Sequence, residues 1–203
     1  MEALYRLLRA LNLLSDSLLK FFFILFIALS FVACNRQQIS NHTIKYFRIA
    51  EYFQQQADNL SQSDLMIEKK LYVSGRHDTI LIHARDINWE KEFSRFVQCD
   101  INKAAYQDAY EISSFSSGEG KTMRYVAAKS KLIVRNIEIH FDESGNVLAL
   151  NIQTLHTSLI NKTETELWYH TDGYGFRQIK KPVWWGGNQM LVVESHFLEP
   201  IIY

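Results

Sequence analysis

The stretch Leu132–Asp142, "LIVRNIEIHFD", decides how the second half of this chain folds. Ile133, Ile137, Ile139 and Phe141 stand on odd positions, and Asn136, Glu138 and His140 on even ones. A period of two places the sets on opposite faces of a β-strand, one against a core and one in water. The neighbouring segments share this pattern. "YQDAYEISSF", "TMRYVAA", "VLALNIQTLH", "TETELWYH", "GFRQIKK" and "QMLVVESHF" are separated by "SSGEGK", "KSK", "ESGN", "TSLINK", "TDGY" and "PVWWGGN". Connections this short join antiparallel neighbours, so a β meander is expected from Tyr106 onward.

Upstream the period lengthens to that of a helix. Between Thr43 and Leu60, the residues Tyr46, Ile49, Ala50, Phe53, Ala57 and Leu60 form one apolar stripe, with Asn41 or Thr43 as N-cap. "LMIEKKLYV" and "TILIHAR" then flank the turn-rich "SGRHD" and predict a β-hairpin. Asp86 is placed to cap "INWEKEFSRFVQC", where Trp89, Phe93, Phe96 and Val97 recur at helical spacing. Glu90, Lys91 and Arg95 fall on the opposite, solvated side. The expected fold is α+β: a single domain over 43–203 in which two N-terminal amphipathic helices cover one face of an antiparallel β meander.

The first 42 residues are of another kind. From Phe21 to Ala33 the chain is apolar apart from Ser30, with Lys20 before it and Arg36 after. A spanning helix needs about 20 such residues, whereas the apolar region of a signal peptide has roughly 7–15. The run ends in "FVAC", Phe31 to Cys34, which resembles the lipobox of bacterial lipoproteins, with Phe31 where leucine is usual. The resemblance implies a signal peptide over 1–33 that is cleaved, a lipidated tether over 34–42, and acyl chains such as palmitate on Cys34. Two or more such chains hold a protein stably on a membrane without spanning it.

Lys and Arg total 22, matched by 22 Asp and Glu. Loss of the leader, with Arg6, Arg9 and Lys20 against Glu2 and Asp16, leaves one net negative charge. That balance gives no electrostatic footprint for nucleic acid. With Cys34 acylated, Cys99 has no intramolecular partner, and its apolar setting predicts a small buried side chain rather than a reactive thiol.

Motifs that carry chemistry are weak. "FSSGEGKT", Phe115 to Thr122, imitates the end of a phosphate-binding loop but has phenylalanine where glycine is needed and a strand-like run where a helix should follow. Glu138 with His140, Glu166 with His170 and Glu194 with His196 offer zinc-type ligands. They belong to alternate strands about 9.6 Å apart, too far for one ion, so no metal and no cofactor is expected. No serine lies in a nucleophile elbow, and no catalytic residue is assigned. Trp184 and Trp185, beside two glycines in "PVWWGG", are the candidate ligand or partner contacts.

"DTI", Asp78 to Ile80, resembles the O-glycan acceptor motif of exported Bacteroidota proteins. The wider layout resembles uncharacterised Bacteroidota lipoproteins with an "EYF…AD.L" helix, a "DW…E…F" helix and a "DINK" turn. The matching residues are Glu51, Tyr52, Phe53, Ala57, Asp58 and Leu60, then Trp89, Glu92 and Phe96 with Asn88 in place of the aspartate, then Asp100 to Lys103. That likeness implies an envelope lipoprotein and carries no known activity; the expected location is the outer membrane, facing the periplasm, with the inner membrane as the alternative. The expected function is a non-enzymatic binding or scaffolding module for a partner protein or an apolar envelope ligand. The alternative is an envelope enzyme with an unrecognised site.

Overall fold

Tyr46 and Phe47 lie just before the first described helix. The computed structural model describes residues 45–117, 120–184 and 186–198, so the leader, Cys34, the tether and Trp185 lie outside the described residues. Helix α1 spans Ile49–Ser61 and α2 spans Trp89–Gln98. The strands are β1 Met66–Val73, β2 Arg76–His83, β3 Tyr110–Ser117, β4 Gly120–Ala127, β5 Val134–Phe141, β6 Val147–Thr157, β7 Asn161–His170, β8 Gly173–Pro182 and β9 Gln189–Leu198. All lie in one nine-stranded sheet of order β2-β1-β9-β8-β7-β6-β5-β4-β3. Every pairing is antiparallel. The N-terminal hairpin turns through Ser74 and Gly75, both at positive φ, and then extends the meander by pairing β1 with β9.

The chain is therefore mostly β, and the α+β class expected from the sequence is wrong. Both helices are shorter than the segments the sequence suggests for them. α1 begins at Ile49 because the residues before it are held by tertiary bonds. The Tyr46 amide donates to Asn102 Oδ1 at 3.1 Å and the Phe47 amide to the Tyr125 hydroxyl at 3.2 Å. α2 begins at Trp89 because Asn88, rather than Asp86, is its cap, with Oδ1 accepting from the Lys91 amide at 2.9 Å. Asp86 instead closes the short 3₁₀ turn Ala84–Asp86. The hairpin meanwhile adds two strands to the sheet.

One sheet face is the core. Tyr125, Ile137, Ile152 and Leu167 form one buried row across β4 to β7, and Ile139, Leu150, Tyr169 and Tyr174 form the next across β5 to β8. Phe53 of α1 lies 5.3 Å from the Tyr169 ring, and Phe93 of α2 lies 5.2 Å from that of Tyr174, so both helices rest on these rows. Two expected core positions are exposed. The register of β5 shifts between Val134 and Asn136, and the extra residue reverses the alternation, leaving Ile133 47% exposed while Leu132 and Val134 are buried. Val97 is 38% exposed, at the edge of the α2 stripe. Arg95 is exposed, as expected, with its guanidinium 4.3 Å from the Phe176 ring.

Candidate functional site

α1 and α2 pack side by side, and the surfaces they turn outward define a groove. On α1 its wall is Ala50, Gln54 and Ala57, and on α2 it is Glu90, Ser94 and Val97, in each case at i, i+4 and i+7. Between them lies a volume of about 530 Å³. Its floor is Phe53, Trp89 and Phe93, with Phe53 and Phe93 4.9 Å apart and Phe93 and Trp89 5.1 Å apart. Trp89 is fixed by its indole N–H, which donates to the Ala84 carbonyl at 2.7 Å. Polar groups of Asn88, Lys91 and Gln98 lie along the rim. A preformed apolar floor with a polar margin is the usual form of a small-ligand site, and the volume falls within the common range of about 300–1,000 Å³.

Beneath the groove, Glu92 faces the sheet. Its Oε1 accepts from Lys69 Nζ at 2.6 Å and from the Tyr174 hydroxyl at 2.9 Å, tying α2 to β1 and β8. Burial, reinforced by the Glu92 charge, pushes the Tyr174 phenol well above its ordinary range, so it stays a protonated donor. Ser195 pairs across the strands with both Lys69 and Tyr174 but is only 1% exposed, too deep to meet a substrate. The cluster acts as a clasp between helix and sheet. Period two would have placed Lys69 on the core face beside Ile67, which was the available sign of a buried partner.

The other candidates from the sequence lie apart from this groove. Ala149 pairs with both His140 and His170, and Gly173 with both His170 and His196, so the three imidazoles stand in one row on the uncovered sheet face at alternate strands. Among the described residues no three His, Cys, Asp or Glu side chains converge as metal ligands. His140 Nε2 lies 3.0 Å from Glu138 Oε1, and its Nδ1 lies 3.0 Å from the Thr122 hydroxyl. The Glu138 carboxyl also accepts from Arg124 Nε at 2.8 Å, and this bond is the main cause holding it below the usual carboxylate range. Glu166 turns to Arg177 at 2.6 Å instead of to His170. On this face Trp168 lies over Gly175, where an added Cβ would come within 2.5 Å of the indole.

The phosphate-loop lookalike is a hairpin, with Ser117 paired to Gly120 and the chain running on as β4. Cys99 is buried, with Sγ 3.3 Å from the Arg95 carbonyl, and burial pushes its thiol up to about 12. Trp184 is 75% exposed in the β8–β9 connection, while Trp185 and Cys34 lie outside the described residues. The groove escaped the sequence reading: Ala57 is buried, as its place in the apolar stripe predicts, but Ala50 on the same stripe is only half-buried. Their small size among Phe53, Ile49 and Leu60 was the sign that something other than a bulky core neighbour lies beside them. Among the described residues no helix is long and apolar enough to cross a membrane. No family model, no curated protein and no solved structure matches this chain.

Proposed function

We propose that the chain is a lipoprotein of the bacterial cell envelope, held on a membrane by acyl chains on Cys34, and that its folded unit is a non-enzymatic module binding an apolar ligand of acyl-chain class. The observation that carries the binding reading is the groove between α1 and α2, with apolar surface at Ala50 and Val97, a base closed by buried aromatic rings and a polar rim. A chain of methylenes laid along those walls gains roughly 0.8 kcal/mol per group that leaves water. The small side chains of Ala50, Ala57 and Ser94 leave room for it along the helices. Support for the anchor is the "FVAC" ending of the short apolar run before Cys34. The periplasmic side of the outer membrane is the location that fits this reading.

The test is a titration of the purified mature protein with an anthroyloxy-labelled stearate, whose emission rises on leaving water. Saturable binding is expected. Val97→Arg and Ser94→Trp, both at groove walls, should weaken it by about tenfold or more while leaving thermal unfolding unchanged. Binding that is absent, or as strong in the two variants as in the unsubstituted protein, would contradict the reading.

A further inference from the structure

The antiparallel order brings four turns to one end of the sheet: 74–75 between β1 and β2, 128–133 between β4 and β5, 158–160 between β6 and β7, and 183–188 between β8 and β9. Backbone hydrogen bonds stitch this end into a continuous rim. The Leu155 amide donates to the Ile133 carbonyl at 2.8 Å, that of Val183 to Ile160 at 3.0 Å, and that of Ser74 to Met190 at 3.4 Å. From the rim project Leu159, Ile160, Val183 and Trp184, with exposures of 90%, 68%, 53% and 75%. Four large apolar side chains on two bonded turns are a costly feature to leave in water.

Their surroundings are basic. Arg76, Lys129, Lys131 and Lys180 are exposed at this end. None of the four makes an ion pair with a carboxylate among the described residues. Of the carboxylates at this end, that of Glu164 is held between Lys162 at 3.2 Å and Lys181 at 2.9 Å and that of Asp108 by Lys45 at 2.8 Å, while exposed Glu111 of β3 is in no ion pair among the described residues and offsets one of the four cations. Asp78, on β2, stands further from the turn. Tryptophan and short aliphatic side chains on rigid turns suit the boundary between headgroups and acyl chains, and lysines above them can reach phosphates while their stems stay in contact with lipid.

We propose that this end of the sheet docks on an anionic lipid surface. Leu159, Ile160, Val183 and Trp184 enter the interface, and Lys129, Lys131, Lys180 and Arg76 engage headgroup phosphates. The contact is separate from any anchor on Cys34 and from the groove between the helices.

The test uses the full chain with Cys34→Ser, which removes the acylation site, and a polarity-sensitive fluorophore on Leu159→Cys. Buried Cys99 stays unlabelled. A matched control carries the label on Glu143→Cys, exposed in the turn between β5 and β6 at the opposite end of the sheet. Vesicles of phosphatidylethanolamine and phosphatidylglycerol should shift the emission at position 159 to the blue and leave position 143 water-like. Phosphatidylcholine vesicles should do so several-fold less, and Lys129→Gln, Lys131→Gln and Lys180→Gln together should weaken the response by about tenfold, as counter-charge and screening require. No shift at 159 with protein-free anionic vesicles would overturn the proposal in favour of a protein partner. Equal shifts at 159 and 143, or indifference to lipid charge, would also overturn it.

Discussion

Phe93 shows what one side chain contributes to this fold. It is 1% exposed, and its ring lies 4.9 Å from Phe53, 5.1 Å from Trp89 and 5.2 Å from Tyr174, so it joins both helices to the sheet and lies in the groove floor. Phe93→Ala should cost about 3–5 kcal/mol through lost transfer energy and the cavity left behind. Lys91→Ala, on the exposed side of the same helix, should change stability by about 0.5 kcal/mol or less. Urea denaturation of the two variants checks this, and equal small effects would mean that α2 stands off the sheet. The burial of Trp89, Phe93 and Phe96 could be read from helical spacing alone. The place of Val97 could not, because a residue at the margin of a stripe meets whatever stands beside the helix, which here is the groove. Arg95 is exposed, as its side of the helix predicts, and its guanidinium also reaches over the Phe176 ring.

At the scale of elements, α1 borrows its cap. No side chain at Arg48 closes its N-terminus. Asp100, 50 residues downstream, accepts from the Ala50 amide at 2.9 Å through Oδ2, while its Oδ1 accepts from the Asn102 amide at 2.7 Å. A carboxylate there satisfies an orphan donor and meets the positive end of the helix dipole. Asp100→Ala should therefore destabilise the protein by about 1–2 kcal/mol, with amide exchange accelerated first in the opening turn of α1, as hydrogen-exchange mass spectrometry would read. The residues of the "DINK" turn thus position the helix, Trp89 and Glu92 join α2 to the sheet, and Phe96 stacks on Phe53 to join the two helices. The strands themselves were legible because alternation and short turns are local signals. The β1–β9 pairing and the bulge near Arg135 were not, since the first joins distant segments and the second hides in an otherwise regular alternation. Taking the stripes as full-length helices and missing that long-range pairing led to the wrong class.

The whole molecule divides its tasks by face and by end. One face of the sheet carries the helices and, on their outer side, the groove. The other carries ion pairs such as Arg124–Glu138 and Arg177–Glu166, which suit contact with water. One end gathers exposed apolar and basic residues. Little of this could be read from the sequence: Trp184 stood out as a candidate contact, but its neighbours Leu159 and Ile160 are distant in the chain and meet it only through the β6–β9 order. The proposed function has this domain work at a membrane through acyl chains on Cys34. Intact mass spectrometry of the protein extracted with detergent from its native membranes tests this most directly. The account predicts a chain that begins at Cys34 and carries acyl groups on that residue. A mass that retains Phe21 to Ala33, or a chain with Cys34 unmodified, would contradict it.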